Sequence, residues 1–172
     1  MKDIAAIVEL LNRAHLEFVE VCEQFPANRW KKNPASGGWS AGEVVVHLTM
    51  VEDAVVKFAR EELSKKPRRH SLFQKFHLPV VLVSRRLVKR KTPIPLDSSL
   101  IKARQDALES YSSARNRTLK FIAEHSSRDL APFRRKHPFL GSLNLYDWMR
   151  MLAYHEMRHT TQIREIGKSF EK

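Results

Sequence analysis

A chain of 172 residues with 42% hydrophobic and 29% charged residues is long enough to bury a core. Its five glycines are too few for a β-sandwich or β-barrel, and the single Cys22 excludes an intrachain disulfide framework. No stretch approaches the roughly 20 apolar residues of a membrane span. The N-terminus carries acids and a histidine within its apolar pattern, so it does not resemble a signal peptide. We therefore expect a single cytoplasmic domain over residues 1–172.

The net charge of +12 is concentrated in one segment. Residues 65–91 contain ten Lys or Arg and no Asp or Glu. This segment therefore carries +10 of the net charge and leaves +2 for the rest of the chain. We expect any electrostatic partner to bind this segment and not the body of the fold.

The first two helices are predicted from apolar residues spaced three and four positions apart. Residues 3–25 place such residues on one face of a helix. After a proline-containing loop, Ser40 and Glu43 have the spacing of a capping box, in which each side chain accepts a hydrogen bond from the other residue's amide. The helix that begins here is expected to run to about Leu63.

Residues 65–96 form an insertion between the second and third predicted helices. Within it, the stretch LPVVLVSRRLVKR can form a short helix that begins at Pro79 and has an apolar side and a basic end. The following KTPIPL is typical of an extended linker.

Two further helices complete the pattern. The third is predicted from about Ser99 to His125. A basic loop and the sequence HPFLGSLN then lead to the last helix, with Asn144 as its N-cap and Asp147 at its third position. This helix is expected to end at Gly167, because glycine adopts the left-handed turn that closes helices. Four amphipathic helices of this length predict an all-α four-helix bundle.

Three histidines fall within the apolar faces of these helices. His155 and His159 lie one turn apart on the last helix, and His47 lies on the core side of the second. Two imidazoles one turn apart, with a third from a facing helix, form a three-nitrogen site with open coordination positions. Such a site suits Zn, Ni, Cu or Fe better than Mg or Ca.

The alternative is that each histidine is a separate core residue with its own hydrogen-bond partner. The other histidines are expected at the surface or at helix ends: 15, 70, 77, 125 and 137.

The last helix also contains H-E-x-x-H, the zinc metallopeptidase motif in which the glutamate is the general base. Only 13 residues follow His159, and Gln162 replaces the glycine of the extended motif, so a peptidase is disfavoured. Glu156 stays a candidate catalytic base for a metal-bound water. The alternative is that Glu156 faces solvent or pairs with a basic neighbour.

Three sequence blocks resemble the DinB-like superfamily. They are W-S-x-x-E-x-x-x-H-L at 39–48, H-P-x-L-G-x-L at 137–143, and W-x-x-x-x-x-x-H-E-x-x-H-x-x-Q-I at 148–163. That family includes DNA-damage-inducible proteins, and thiol-cofactor transferases are related to it. The resemblance implies an up-down-down-up four-helix bundle whose metal ligands are His47, His155 and His159. Zn or Ni is favoured as the divalent transition metal, with Fe, Cu or Mn as alternatives.

Two functions follow as hypotheses. The first is a metal-dependent enzyme acting on a small molecule, either a thiol-cofactor S-transferase or a hydrolase, because three neutral ligands leave a metal its full charge. The second is a non-catalytic, metal-stabilised module that contacts nucleic acid or an acidic surface through residues 65–91. A solvated loop is favoured over nucleic-acid contact for this segment. Bundles of this kind often pair through exposed apolar helix faces, which predicts a homodimer.

Overall fold

The computed structural model describes residues 4–67, 71–85 and 98–171. Its long helices are α1 (Ile4–Gln24), α2 (Ala41–Leu63), α4 (Arg104–Glu124) and α5 (Leu145–Lys168). The connections contain the one-turn helix α3 (Leu72–Lys75), strands β1 (Arg134–His137) and β2 (Gly141–Asn144), and 3-10 turns at Ala27–Arg29, Val80–Ser84 and Ser98–Leu100. None of the helices in these described ranges is long and apolar enough to cross a membrane.

The starts of α2 and α5 are stabilised by the predicted caps. The Ser40 hydroxyl accepts a hydrogen bond from the Glu43 amide at 3.2 Å, and the Glu43 carboxylate accepts one from the Ser40 amide at 2.7 Å. At α5, the Asn144 side chain accepts a hydrogen bond from the Asp147 amide at 3.0 Å. Both contacts satisfy amides that have no partner within the helix. The boundaries that we predicted for these helix starts are therefore confirmed.

The four long helices form an up-down-down-up bundle. Contacts advance in the same direction along α1 and α5 and along α2 and α4, so each of these pairs is parallel. Contacts run in opposite directions between α2 and α5 and between α1 and α4, so those pairs are antiparallel. The parallel pairs are shown by His15–Glu156 and Phe25–Phe170 for α1 and α5, and by Asp53–Arg117 and Arg60–Glu124 for α2 and α4. The antiparallel pairs are shown by His47–His155 and Phe58–Trp148 for α2 and α5, and by Leu11–Arg115 and Phe25–Arg104 for α1 and α4.

The apolar faces of the helices meet in two clusters of buried side chains. One cluster includes Leu11, Phe121 and Met149, which come from α1, α4 and α5. The other includes Val44 and Ile163, which lie one turn from His47 and His159 along α2 and α5. The second cluster therefore supports the helix segments that carry the histidines.

The sequence HPFLGSLN, which we expected only to lead into the last helix, forms part of a β-hairpin. β1 and β2 pair in antiparallel register from Arg134 opposite Asn144 to His137 opposite Gly141. Strands of four residues are too short to show a clear alternation of apolar and polar residues. Gly141 has φ of +94°, and a Cβ there would lie 2.9 Å from the carbonyl oxygen of Phe76, so this position requires glycine.

Three other boundaries differ from those predicted. α4 begins at Arg104 and not near Ser99, because residues 98–100 form a separate 3-10 turn. Gly167 lies inside α5 without positive φ, and the helix is capped by Ser169. The predicted helix that begins at Pro79 is a 3-10 turn, because the Leu82 amide donates a hydrogen bond to the carbonyl oxygen three residues back. This turn packs against α5. The rest of that predicted helix, residues 86–90, and the predicted extended linker at 91–96 lie outside the described residues.

Candidate metal centre

The structure brings together the three histidines that the sequence singled out, at the contact between α2 and α5. Nε2 of His155 lies 3.3 Å from Nε2 of His47 and 3.0 Å from Nε2 of His159. Ligand atoms of all three residues lie within 4.8 Å of one another. Two nitrogens bound tetrahedrally to one Zn²⁺ at about 2.0–2.1 Å are themselves about 3.3 Å apart. The observed separations therefore match those of ligands that share one ion.

The environment keeps all three rings neutral. His47 and His159 are each 5% exposed, and His155 is half-buried. Burial lowers the pKa of His47 to about 4. Burial, together with the neighbouring histidines and Arg158, lowers the pKa of His155 and His159 well below its usual value. Each ring is therefore neutral near pH 7 and has one nitrogen with a free lone pair. The neutral ring is the form that binds metal.

Gln162 determines which nitrogen of His159 faces the cluster. Its side-chain oxygen accepts a hydrogen bond from Nδ1 of His159 at 3.0 Å, so the proton is on Nδ1 and the lone pair is on Nε2. The single N–H of a neutral His155 cannot form a hydrogen bond with both neighbouring rings at once. A cation can accept all three Nε2 lone pairs together. The donor set thus fits a transition metal.

Trp39 covers one side of the histidine cluster. The centroid of its ring is 4.9 Å from that of His47 and 6.1 Å from that of His159, with the His159 ring nearly parallel at 16°. Trp39 directly precedes the capping residue Ser40, so the cap that starts α2 also places the indole. This accounts for the adjacency of Trp39 and Ser40 in the first sequence block.

The cluster contains no carboxylate and has a basic neighbour. The group of potential ligands found among the described residues consists of the three histidines alone. Arg158 precedes His159, and its positive charge contributes to the low pKa of both α5 histidines. The guanidinium of Arg158 donates a hydrogen bond to the carbonyl oxygen of Arg85 at 2.6 Å. The 3-10 turn before Arg85 is therefore tied to α5 close to the cluster.

Glu156 is not among the residues that the structure brings to the cluster. Its side chain is fully buried and accepts hydrogen bonds from the Tyr111 hydroxyl at 2.7 Å and from Arg115 at 2.9 Å. Nδ1 of His15 lies 3.1 Å from the same carboxylate. Adjacent residues on a helix point about 100° apart, so Glu156 faces α1 and α4 while His155 faces α2. We therefore do not assign Glu156 the role of a base at the metal.

Two further residues of this buried network were missed by the sequence analysis, Glu52 and Arg115. Their side chains are 2% and 1% exposed, and two guanidinium nitrogens of Arg115 donate to one Glu52 oxygen at 3.0 and 2.5 Å. Burial raises the pKa of the Glu52 carboxyl, and the charge of Arg115 opposes this shift. A charged residue inside an apolar register, such as Glu52 between Leu48 and Val55, was the signal that could have found them.

The remaining histidines occupy varied positions. His15 was expected at the surface or at a helix end, but it lies within α1, where it contacts Glu156 and the Ser112 hydroxyl, each at 3.1 Å. Nδ1 of His137 accepts hydrogen bonds from two amides of the hairpin turn. His77 is exposed at 25% of its side chain and lies 3.4 Å from Asp147. His125 caps α4, and His70 lies outside the described residues.

Comparison with known proteins identifies the family. The sequence model of the DinB superfamily matches residues 10–163. The uncharacterized protein YuaE of Bacillus subtilis (strain 168) is 24% identical, in an alignment that covers 96% of this chain and 99% of YuaE. No solved structure matches the chain significantly. Because the family match spans most of the sequence and contains all three histidines of the cluster, the chain belongs to the DinB superfamily.

Proposed function

We propose that the chain binds one divalent transition metal through Nε2 of His47, His155 and His159. The observation that carries this proposal is the convergence of three neutral histidine nitrogens at separations of 3.0 and 3.3 Å. Nitrogen ligands favour Zn²⁺ or Ni²⁺, with Fe, Cu and Mn as alternatives. Three protein ligands leave a fourth position for a substrate or water, as in catalytic sites.

The centre then belongs to a metal-dependent enzyme that acts on a small molecule. A divalent metal with three neutral ligands supplies Lewis acidity, which lowers the pKa of a thiol or water at the open position. The chain's own residues hold the histidines neutral and cover one side of the cluster with Trp39. Arg158 adds positive charge, which favours an anionic nucleophile such as a thiolate.

Of the two reactions, thiol transfer is the one we favour. A hydrolase of this type commonly uses a protein carboxylate as general base, but Glu156 is occupied in the core by Tyr111 and Arg115. Cys22 is fully buried, and burial raises the pKa of its thiol, so it does not provide a nucleophile. A thiol cofactor would bring its own sulfur to the site. Hydrolysis is the alternative reaction.

Elemental analysis tests the metal proposal. The wild-type protein, purified without added metal, is expected to contain close to one equivalent of a transition metal. His47→Ala is expected to lose it, while the control His125→Ala, outside the cluster, keeps it. Full metal content in His47→Ala would rule out the three-histidine site. A screen of the loaded protein with low-molecular-weight thiols and with ester substrates then separates transferase from hydrolase.

A second candidate function is a binding module that uses the basic segment. Phe73 and Phe76 are 95% and 72% exposed, and Lys75 lies between them in the exposed part of this segment. Exposed aromatics among basic residues suit base stacking and phosphate contact. Binding of a fluorescent single-stranded oligonucleotide, measured from 50 to 300 mM salt, tests this. Steep salt dependence that is lost in Phe73→Ala/Phe76→Ala supports the module, and no binding at 50 mM excludes it.

We also propose that the protein forms a homodimer through the outer face of α1. Leu16 is 70% exposed there, and a shallow groove runs along the same face past Val8 and Asn12. Exposed apolar residues on a long helix are a common basis for pairing of bundles.

A further inference from the structure

One guanidinium joins all four long helices. Arg115 lies on α4, and its Nη1 donates a hydrogen bond to the Leu11 carbonyl oxygen of α1 at 2.7 Å. Its Nε and Nη2 donate to Glu52 of α2 at 3.0 and 2.5 Å, and Nη2 also donates to Glu156 of α5 at 2.9 Å. Arg115 is 1% exposed, so these contacts are made in the interior and not at the surface.

The two carboxylates are themselves held by further contacts. Thr118 donates its hydroxyl proton to the second oxygen of Glu52, and Tyr111 donates to Glu156 at 2.7 Å. Both residues are buried and lie on α4, Tyr111 about one turn before Arg115 and Thr118 about one turn after it. The carboxylates therefore have little freedom to move relative to α4.

This network lies next to the histidine cluster along both helices that supply the ligands. Glu52 follows His47 by five residues on α2, which is about 7.5 Å along the axis. Glu156 directly follows His155 on α5. Because one guanidinium contacts both carboxylates, it restricts how far α2 can slide relative to α5. A slide of α2 along α5 would change the 3.3 Å distance between Nε2 of His47 and Nε2 of His155.

We propose that Arg115 is a positioning residue of the metal centre, acting through Glu52 and Glu156. It touches no ligand, and α4 supplies none of the three histidines. The planar guanidinium donates to two carboxylates in fixed directions, which a lysine ammonium cannot reproduce. This inference rests on the proposed metal site and adds to it the element that sets the separation of its ligands.

A purely structural role would have a different signature. If Arg115 only stabilises the bundle, its replacement lowers the stability of the metal-free and metal-loaded protein equally. Metal affinity of the folded variant then stays unchanged, since linkage ties affinity to the difference between the two stabilities. If Arg115 positions the ligands, affinity and ligand geometry change in a protein that is still folded.

The test compares Arg115→Lys with Arg117→Lys. Arg117 also joins α4 to α2, through an exposed pair with Asp53, and is therefore a matched control. Zn²⁺ affinity is measured by competition with a chromophoric chelator, at a temperature where circular dichroism shows each protein folded. The visible spectrum of the Co²⁺-loaded protein reports the coordination geometry.

We expect Arg115→Lys to bind Zn²⁺ about 10 to 100-fold more weakly, as is usual when groups that orient ligands are removed. Its Co²⁺ spectrum should also shift, while Arg117→Lys matches the wild type in both measurements. A folded Arg115→Lys with unchanged affinity and spectrum would overturn the inference. If Arg115→Lys does not fold, Glu52→Gln replaces it, and the same two outcomes apply. Failure of the wild type to bind Zn²⁺ or Co²⁺ would instead contradict the proposed function itself.

Discussion

Nδ1 of His159 donates a hydrogen bond to the side-chain oxygen of Gln162 at 3.0 Å, from one turn of α5 to the next. The contact fixes the tautomer of His159 and turns its Nε2 lone pair toward His155 and His47. It is an interaction of the kind that orients a ligand without joining the metal. Among the three histidines it also distinguishes His159, because Nδ1 of His47 and of His155 has no hydrogen-bond partner among the described residues.

Removing this contact should weaken metal binding without unfolding the protein. Gln162→Leu leaves the Nδ1 proton of His159 without an acceptor, so the ring loses its fixed orientation. We expect about a tenfold loss of Zn²⁺ affinity, measured by chelator competition. Thr161→Val, at the adjacent exposed position, serves as the control and should bind as tightly as the wild type. Equal affinity in both variants would show that Gln162 has only a packing role.

Metal removal should lower thermal stability. A ligand that binds only the folded state at 100 times its Kd adds about 2.7 kcal/mol, and each kcal/mol shifts Tm by about 2–4 °C in a protein of this size. Chelation with EDTA should therefore lower the wild-type Tm by about 5–10 °C in differential scanning fluorimetry. The Tm of His47→Ala should not respond to EDTA. A response of equal size in the variant would place the metal elsewhere.

The metal-free protein should lose stability in mild acid. Burial holds the pKa of His47 at about 4 in the folded state, against 6.5 in the unfolded chain. Between these two values the unfolded chain binds the proton and the folded chain does not, so stability falls as pH drops from 6.5 toward 4. The loss from this residue is up to about 1.4 kcal/mol for each pH unit.

Urea unfolding in EDTA at pH 7.5, 6.0 and 5.0 measures this effect. The free energy of unfolding should decline at the two lower values, and the decline should be smaller in His47→Leu. If the free energy of unfolding declined equally in the wild type and in His47→Leu, His47 would not be a neutral, buried group in the folded protein.

Much of this architecture could be predicted from the sequence because the buried residues of an amphipathic helix recur every three to four positions. The capping residues gave the starts of α2 and α5, and the apolar register placed His47, His155 and His159 inside the bundle. The orientation of Glu156 could not be taken from H-E-x-x-H alone, since that motif is defined by spacing and not by neighbours. Its position four residues after Leu152 and seven before Ile163 does place it on the buried stripe.

Other features depend on contacts between distant parts of the chain. The hairpin of β1 and β2 forms beside residues 76–78, through bonds such as the Leu78 amide to the Leu140 carbonyl oxygen at 2.8 Å. The spacing of apolar residues along the sequence does not predict such a pairing. The same holds for Arg115, whose partners lie 41 and 63 positions away in Glu156 and Glu52. A charge in the apolar register indicates burial, but the sequence does not name the partner.

The proposed homodimer predicts that Leu16 is at the interface. Leu16→Glu places a charge on the outer face of α1, where burial against a second chain would be costly. We expect light scattering after size exclusion to show about 40 kDa for the wild type and about 20 kDa for the variant, from a chain mass of 20.0 kDa. Leu100→Glu, at a residue that is 51% exposed elsewhere, is the control. A monomeric wild type would refute the homodimer.

Substitutions at Gly141 and Gly37 can distinguish backbone strain from steric clash, because both glycines have positive φ and only Gly141 has close neighbours. Gly37 has φ of +79°, and a Cβ added there would meet nothing within 4 Å, so Gly37→Ala tests backbone strain alone. Gly141 has φ of +94°, and its added Cβ would also lie 2.9 Å from the Phe76 carbonyl oxygen and 3.3 Å from Cα of His77. Backbone strain of this kind costs about 1–2 kcal/mol.

Gly141→Ala should therefore be the more destabilising of the two, by at least about 1 kcal/mol in urea unfolding. The clash is with backbone, which cannot rotate away as a flexible side chain can, and relieving it means separating the hairpin from residues 76–78. That hairpin contacts the start of α5 through the Trp148 indole, which donates to the Arg135 carbonyl oxygen at 3.2 Å. The histidine cluster lies about two turns further along α5, so Zn²⁺ affinity should stay within about twofold of the wild type in both variants. Equal destabilisation by the two substitutions would mean that the hairpin does not hold the close approach at Gly141 in solution.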